Sequence, residues 1–119
     1  MPVPAHVFVY GTLRRSGSNY FRMDGAEFRS AATVHGRLYQ IDWYPGLVLD
    51  EAADEVMGEI HQVSPNMLEA LDQFEGPEYR RVRVDVACGG DHRSPLPVWV
   101  WEWLGPVDET RRITNGDWL

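Results

Sequence analysis

The sequence of 119 residues contains no lysine, and this absence excludes two kinds of chemistry. All eleven basic residues are arginines, so no substrate can form a Schiff base with a lysine side chain and no phosphate-binding loop can have its lysine. Eighteen acidic residues against eleven basic ones give a formal net charge of -7. Because the sequence lacks the basic face typical of nucleic-acid binding, we expect no nucleic-acid partner.

Cysteines and long apolar runs are also scarce. Cys88 is the only cysteine, so it has no disulfide partner within the chain, and we expect a structural or incidental role for it. No apolar run approaches the ~20 residues that span a bilayer, and the N-terminus does not resemble a signal peptide. These features predict a cytoplasmic protein that has no membrane partner.

Metal-binding and nucleophile motifs are missing as well. The histidines lack H-x-x-x-H spacing and cysteine partners, so we expect neither a metal nor another cofactor. No G-x-S-x-G nucleophile elbow occurs. His61, between Ile60 and Gln62, is expected on a strand surface.

The N-terminal stretch V-F-V-Y-G-T-L contains the first candidate binding element. The β-branched and aromatic run Val7–Tyr10 predicts a buried strand that Gly11 ends. Because glycine has no Cβ, Gly11 permits a positive φ and the close approach of another group. The N–H groups of Gly11, Thr12 and Leu13 would then point into one concavity and bind an anion or an oxyanion. The alternative is a strand that ends in an ordinary turn.

Further strands and one helix are expected along the chain. Gly36 indicates a bulge or a close approach in the first of these strands, and Pro45-Gly46 predicts a turn with Gly46 in the left-handed conformation. The stretch 88–97, which contains two glycines and two prolines, is expected to be a loop. The predicted strands cover 32–41, 47–49, 56–63, 79–87 and 98–104.

The predicted helix has clear signals at both ends. Ser64 is a suitable N-cap, Pro65 fits the first helical position, and Gly76 fits the position after the last turn, so the helix should end at about Glu75. Several short strands and one main helix favour a single α+β domain over residues 1–119. Its sheet is expected to be a small, closed or strongly curved, mostly antiparallel β-barrel.

Glu75 occupies an unfavourable position for a carboxylate, because the helix macrodipole disfavours negative charge at a C-terminus. If Phe74 and Pro77 restrict water there, desolvation also raises the carboxyl pKa toward the value that suits a general base. An exposed glutamate at a fraying helix end is the alternative. Glu78 is the competing acid.

Two groups of aromatic residues have more than one interpretation. Trp43 and Tyr44 precede the predicted turn, where they would either wall a pocket or fill the core. Trp99, Trp101 and Trp103 share one face of a strand, which favours the core or an interface over a ligand platform.

Five segments, taken in order, resemble the gamma-glutamyl cyclotransferase-like family, in particular its short bacterial members. The combination of a Y-G-[ST]-L turn after an N-terminal strand with a helix that ends in F-E-G is specific. The segments are V-F-V-Y-G-T-L-R at 7–14, W-Y-P-G-L-V at 43–48, G-E-I-H-Q-V at 58–63, L-D-Q-F-E-G-P-E-Y-R-R at 71–81 and N-G-D-W-L at 115–119.

The resemblance implies a small barrel-like β fold with short flanking helices and a substrate cavity. It places the loop Tyr10-Gly11-Thr12-Leu13 in that cavity, opposite an essential glutamate that matches Glu75, with Glu78 as the alternative acid. Tyr79 matches the tyrosine that follows the glutamate and would help to bind substrate.

The chemistry that the resemblance implies is an intramolecular cyclisation. The α-amine of a small gamma-glutamyl amine or peptide attacks its own side-chain carbonyl, which releases 5-oxoproline and a free amine or peptide. This reaction needs a base but neither a metal nor a covalent nucleophile. A non-catalytic small-molecule or regulatory module on the same fold is the first alternative, and a protein-interaction module that uses the tryptophan face is the second. The sequence specifies neither the leaving amine nor the oligomeric state.

Overall fold

Six strands build one curled sheet in the computed structural model, which describes residues 4–88 and 91–119. One α-helix, α1, spans Pro65–Glu75 in these residues, and short 3-10 helices span Tyr20–Met23 and Glu109–Arg111. The strands are β1 Ala5–Val9, β2 Glu27–Gln40, β3 Pro45–Leu49, β4 Glu55–Val63, β5 Tyr79–Cys88 and β6 Asp91–Trp103.

The sheet is mostly antiparallel and strongly curved. Its strand order is β3-β2-β4-β1-β6-β5, and the one parallel pairing among these strands joins β1 to β6. The curl brings β3 against β6, where the Leu49 N–H donates to Glu102 Oε2 at 2.9 Å. The result is a half-barrel with one main helix and short flanking helices, which confirms the expected α+β class in its strongly curved form.

Strand β1 is buried on both faces because it lies between β4 and β6. Phe8 contributes to a core inside the curl, whereas Val7 and Val9 pack on the opposite face with Leu71 of α1. This position explains the continuous apolar run at the start of the sequence, since alternate side chains of a central strand both leave water. The C-terminal end of β1 is therefore held firmly where the chain leaves the sheet.

The helix has the predicted boundaries and caps. Ser64 Oγ accepts the Met67 N–H at 3.2 Å, Pro65 is the first helical residue, and Glu75 is the last. Gly76 has φ 82°, in the left-handed region, and its N–H donates to the Asp72 carbonyl at 3.1 Å. The helix therefore stops at Gly76 and leaves Glu75 on its final turn. No helix of the described residues combines the length and the apolar character needed to cross a bilayer.

The predicted turn at Pro45-Gly46 was wrong. Both residues belong to β3, and the bend precedes them, with the Ile41 N–H donating to the Tyr44 carbonyl at 3.1 Å. Gly46 has no positive φ. A Cβ on Gly46 would lie 2.7 Å from Trp103 Cγ, so close packing against an indole requires this glycine. The close approach predicted at Gly36 is confirmed, because a Cβ there would lie 2.7 Å from Leu47 Cδ1.

Two other expectations also fail. The described part of the stretch 88–97 is strand, because β6 begins at Asp91 and pairs with β5; Gly89 and Gly90 lie outside the described residues. Pro95 and Pro97 precede Trp99, where β6 pairs with β1, so their missing N–H groups remove no hydrogen bond between β6 and β1. His61 is completely buried rather than on a strand surface, because β4 lies between β1 and β2 and the rings of Tyr20 and Phe28 cover it.

Candidate active site

A cavity of about 230 Å³ opens where β1 ends. It brings together all the residues that the sequence singled out for the site, although the loop and the helix end lie some sixty positions apart. Its lining comes from the end of β1 and the following loop, the bend before β3, the end of α1, the start of β5, and β6. The lining residues singled out from the sequence as site residues are Tyr10, Gly11, Thr12, Leu13, Glu75, Glu78 and Tyr79.

Residues 11–15, here called the cradle loop, turn sharply after β1. The Arg14 N–H donates to the Gly11 carbonyl at 3.1 Å. Asn19 fastens the loop from the other side, because its N–H donates to the Thr12 carbonyl at 2.8 Å and its Nδ2 donates to Thr12 Oγ1 at 3.1 Å. The loop is thus a folded unit rather than a loose connection.

The cradle loop requires glycine at position 11 because another residue packs closely against it, and not because of a positive φ. Gly11 permits a positive φ but does not adopt one, since its φ lies outside that region. A Cβ on Gly11 would lie 2.5 Å from Cγ and 2.8 Å from Cδ of Pro45, whose ring has little freedom to yield. The absence of a side chain therefore lets the cradle loop lie directly against β3.

The Gly11→Ala variant is expected to be less stable by about 1–3 kcal/mol, because the added methyl group overpacks the contact with Pro45. Urea unfolding monitored by circular dichroism measures this loss. Ser18→Ala, at an exposed position nearby, is the control and should unfold like the parent protein. Equal stability of Gly11→Ala and the parent protein would show that the loop can move away from β3 at no cost.

Three backbone N–H groups of the cradle loop remain available for a ligand. In residues 4–88 and 91–119, no hydrogen bond has the N–H of Gly11, Thr12 or Leu13 as its donor. All three residues line the cavity and are buried. Buried N–H groups are normally paired, so consecutive unpaired ones beside a cavity are suited to an anionic or oxyanionic partner.

Glu75 contributes a carboxyl group to the same cavity from the last turn of α1. Burial raises the pKa of this carboxyl group from 4.5 to about 7, and the negative charge of Asp72 adds to the rise. Desolvation acts in this direction because it penalises the charged form of an acid. Near neutral pH, the Glu75 side chain therefore exchanges readily between its protonated and ionised states.

Glu78 lines the cavity too, but it is exposed. It follows the helix and lies next to the first residue of β5. The structure thus separates the two candidate acids by environment, with Glu75 withdrawn from water and Glu78 open to it.

The two candidate tyrosines already use their hydroxyl groups within the protein. The Tyr10 hydroxyl donates to the Trp101 carbonyl at 2.7 Å and accepts the Leu47 N–H at 3.3 Å. The Tyr79 hydroxyl donates to the Pro45 carbonyl at 2.7 Å. Burial is the largest cause that raises the pKa of both hydroxyls, with the Glu75 charge contributing, so both remain protonated. Each ring walls the cavity while its hydroxyl holds neighbouring strands in place.

Sequence reasoning missed Asp72, which acts on Glu75 from one turn earlier in α1. Asp72 Oδ1 accepts the Trp101 Nε1–H at 2.9 Å and forms an ion pair with Arg81 Nε at 3.0 Å. The i,i+3 spacing of Asp72 and Glu75 was the available signal, since residues three apart on a helix share a face. The negative charge of Asp72 at that spacing raises the pKa of Glu75.

The aromatic groups divide between cavity and core. Trp43 and Tyr44 both line the cavity, which confirms the pocket-wall interpretation, and Trp43 remains 59% exposed at its mouth. Trp101 lines the cavity and is buried, as is Trp103. Trp99 is covered in part by the guanidinium group of Arg81, 4.4 Å from the ring centre. This burial argues against an interaction module that uses the tryptophan face.

Comparisons with known proteins agree with the fold. The sequence matches the family model described as gamma-glutamyl cyclotransferase, AIG2-like, over residues 7–119. It is 30% identical over 116 residues to the gamma-glutamylcyclotransferase family protein YtfP of Escherichia coli K12, and the match covers 95% of each protein. The chain therefore belongs to the gamma-glutamyl cyclotransferase, AIG2-like family, which confirms the resemblance seen in the sequence.

A bovine relative and two solved structures extend the comparison. The chain is 36% identical over 111 residues to gamma-glutamylaminecyclotransferase of Bos taurus, covering 82% of this chain and 64% of the bovine protein. The crystal structure of a mouse AIG2-like protein superposes with a TM-score of 0.74 at 29% identity, covering 89% of this chain and 86% of the mouse chain. An uncharacterized protein from Pyrococcus horikoshii, at 24% identity, has the same fold with a TM-score of 0.77 over 96% of this chain and 89% of its own.

Proposed function

We propose that this protein is a gamma-glutamyl cyclotransferase that converts a gamma-glutamyl amine to 5-oxoproline and the free amine. The observation that carries the proposal is the shared cavity, which combines a carboxyl group of pKa about 7 with the unpaired N–H groups of the cradle loop. The family membership of the chain supports the same reaction.

Glu75 is the general base of the proposed reaction. Its carboxylate takes a proton from the α-ammonium group of the substrate, and the freed amine attacks the γ-carbonyl carbon. The new C–N bond closes the five-membered ring of 5-oxoproline. When the original amide bond breaks, the proton passes from Glu75 to the departing nitrogen. The ring nitrogen then gives its surplus proton to the Glu75 carboxylate, which passes that proton to the released amine. A pKa near 7 suits both directions of transfer.

The cradle loop supplies positive potential without a positive side chain. Among the described residues that line the cavity, none is an arginine or a histidine. The α-carboxylate of the substrate, or the oxyanion that develops on the γ-carbonyl, therefore binds to the N–H groups of Gly11, Thr12 and Leu13. Because the attack is intramolecular, holding the substrate chain folded lowers much of the barrier.

The charge of the cavity favours some leaving groups over others. Glu75 and Glu78 are the charged side chains of its described lining, and Trp43 and Tyr44 form an apolar wall at the mouth. A leaving amine that carries a carboxylate would meet two acids, whereas a neutral alkylamine would contact the aromatic wall. We therefore propose gamma-glutamyl amines as better substrates than gamma-glutamyl amino acids. The name of the bovine relative is consistent with this choice.

A panel of substrates tests the proposal. Purified protein is incubated with gamma-glutamyl alkylamides and, as matched competitors, gamma-glutamyl amino acids of similar size, and 5-oxoproline is measured by mass spectrometry. We expect 5-oxoproline from the alkylamides with kcat/KM at least about tenfold higher than from the amino acids, as unfavourable charge pairing of about 1.4 kcal/mol would produce. Equal rates would contradict the charge argument alone. If no member of the panel yields 5-oxoproline while 5-oxoproline itself binds, the protein is a binding module instead.

A further inference from the structure

Two of the segments that carry the family resemblance, 58–63 and 115–119, contribute no residue to the described lining of the cavity. Both nevertheless contact the cradle loop from behind. We infer that Glu59 and Asp117 are positioning residues: they hold Arg14 and Arg15, and thereby fix the unpaired N–H groups of the cradle loop in the cavity. The effect of this role on catalysis depends on the proposed function, whereas the positioning of the loop does not.

Glu59 is the inner anchor of the cradle loop. Its Oε1 accepts the Arg15 N–H at 3.0 Å, and its Oε2 lies 3.6 Å from Arg15 Nε and 3.9 Å from Arg14 Nε. Glu59 is only 6% exposed, so its carboxylate depends on these partners in place of water. A buried charge that loses one partner becomes costly, and the loop is therefore held firmly against β4.

His61 fixes the orientation of the anchor. Its Nε2 lies 3.1 Å from Glu59 Oε1, and the imidazole is fully buried. Because both residues project from β4 two positions apart, they lie on the same face of that strand. This contact gives the completely buried histidine a function that its sequence position did not indicate.

Asp117 is the outer anchor, and the C-terminal segment holds it in place. Its Oδ1 accepts Arg14 Nη1–H at 2.6 Å. The preceding Gly116 has φ 70°, and its carbonyl accepts the Met57 N–H at 2.7 Å, which ties the segment to β4. A backbone turn at the C-terminus thus places a carboxylate against the cradle loop. The two anchor carboxylates and the guanidinium groups of Arg14 and Arg15 therefore meet behind the cradle loop, and their charges balance.

The cradle loop needs this support because three of its amides, in residues that line the cavity, have no hydrogen bonds of their own. The N–H groups of Gly11, Thr12 and Leu13 cannot be used to fasten the loop if they are to receive a ligand. The loop is instead held through its side chains, through the N–H of Arg15 and through backbone carbonyls such as that of Thr12, which accepts the Asn19 N–H. A displacement of about 1 Å in such a site can lower a rate by about a hundredfold, so firm support has a catalytic value.

Hydrogen exchange of the Asn19 amide tests this inference without any substrate. This N–H donates to the Thr12 carbonyl and reports whether the loop is closed, yet Asn19 contacts neither anchor. In Glu59→Gln and in Asp117→Asn we expect its exchange, followed by NMR, to accelerate at least about tenfold, while the slow amides of β1 and β6 keep their parent rates. Unchanged exchange at Asn19, or equal acceleration throughout the sheet, would overturn the inference.

Glu102→Gln is the matched control for loss of a partly buried carboxylate. Glu102 accepts a backbone N–H from Leu49 and a guanidinium N–H from Arg80, but it does not contact the cradle loop. We expect this variant to leave the exchange of Asn19 unchanged. An acceleration there as large as in Glu59→Gln would show a general loss of stability and would overturn the inference.

Measurement of kcat/KM then tests whether the anchors affect the reaction. If the proposed function is correct, Glu59→Gln should lower kcat/KM for 5-oxoproline release at least about tenfold at a temperature where it is fully folded, with the pH midpoint of the rate unchanged because Glu75 is untouched. An unchanged kcat/KM would overturn the catalytic meaning of the anchors. If the parent protein turns over no gamma-glutamyl amide, the proposed function fails, and the exchange of Asn19 still decides whether the anchors position the loop.

Discussion

The Glu75→Gln variant is expected to lose cyclotransferase activity, with kcat/KM for 5-oxoproline release falling by about 10² to 10⁴-fold, the usual contribution of general acid–base catalysis. Glutamine preserves the size and the polarity of the side chain, but it cannot accept the proton of the substrate ammonium group. Its neighbours in the cavity, among them Phe74 and Tyr79, should keep their positions. Rates are compared at pH 7.5 on the best gamma-glutamyl alkylamide, and circular dichroism checks that the fold is intact.

Glu78→Gln is the matched control because it removes a carboxyl group from the same cavity. Glu78 is exposed, whereas burial raises the pKa of Glu75 to about 7. We therefore expect Glu78→Gln to reduce kcat/KM by less than about tenfold, as for a charge at the rim of a site. If Glu78→Gln loses the activity and Glu75→Gln retains it, the general base is Glu78 and not Glu75.

The same Glu75→Gln change is expected to stabilise the protein above pH 7. The folded protein binds a proton at Glu75 more tightly than the unfolded chain does, because the carboxyl pKa rises from 4.5 to about 7 on folding. Stability therefore falls as the pH rises from about 4.5 to about 7, and the ionised carboxylate destabilises the folded state above that window. The full shift corresponds to about 3 kcal/mol, which is an upper limit because Glu75 is only partly buried.

Urea unfolding at several pH values measures this effect. At pH 8 the free energy of unfolding of Glu75→Gln should exceed that of the parent protein by about 1–3 kcal/mol, and at pH 4 the two should be nearly equal. Glu69→Gln, at an exposed position of α1, controls for the removal of a helix carboxylate. A variant that is less stable than the parent at pH 8 would mean that the Glu75 carboxylate is stabilised by its surroundings and not strained by burial.

The parts of the fold that local chemistry determines could be predicted from the sequence. The caps Ser64 and Gly76 define α1 through hydrogen bonds and a backbone conformation within a few residues. Glu75 could be singled out for the same reason, since its position on the last helical turn follows from those caps. The run Val7–Val9 predicts β1 because a strand buried on both faces must be apolar throughout.

Features that depend on distant partners could not be predicted in this way. Gly46 was expected in a turn because proline followed by glycine is typical of turns. The position instead requires glycine because the indole of Trp103, 57 positions further along the chain, packs against it. His61 was expected on a surface because its neighbours in sequence do not show that Tyr20 and Phe28 cover it. Glu59 escaped notice for the same reason, since its partners belong to the cradle loop.

The family resemblance supplied what local patterns did not, namely that Glu75 and the cradle loop share one cavity. Gly11 illustrates the limit of the local argument. The sequence indicated correctly that this glycine permits close approach, but the approaching group, Pro45, was not identified, and the positive φ that glycine also permits is not adopted. The geometry of a site assembled from several strands depends on the register of the sheet, which local sequence leaves undetermined.

Ionisation of the Glu75 carboxyl group tests the central claim most directly. The side-chain carboxyl carbons of glutamate are labelled with ¹³C, the NMR signal of Glu75 is assigned by its loss in Glu75→Gln, and its chemical shift is followed from pH 3 to pH 9. We predict a midpoint of about 7, as burial beside Asp72 requires. A midpoint near 4.5, the ordinary value for glutamate, would contradict the claim that this carboxyl group is withdrawn from water and poised to act as the base.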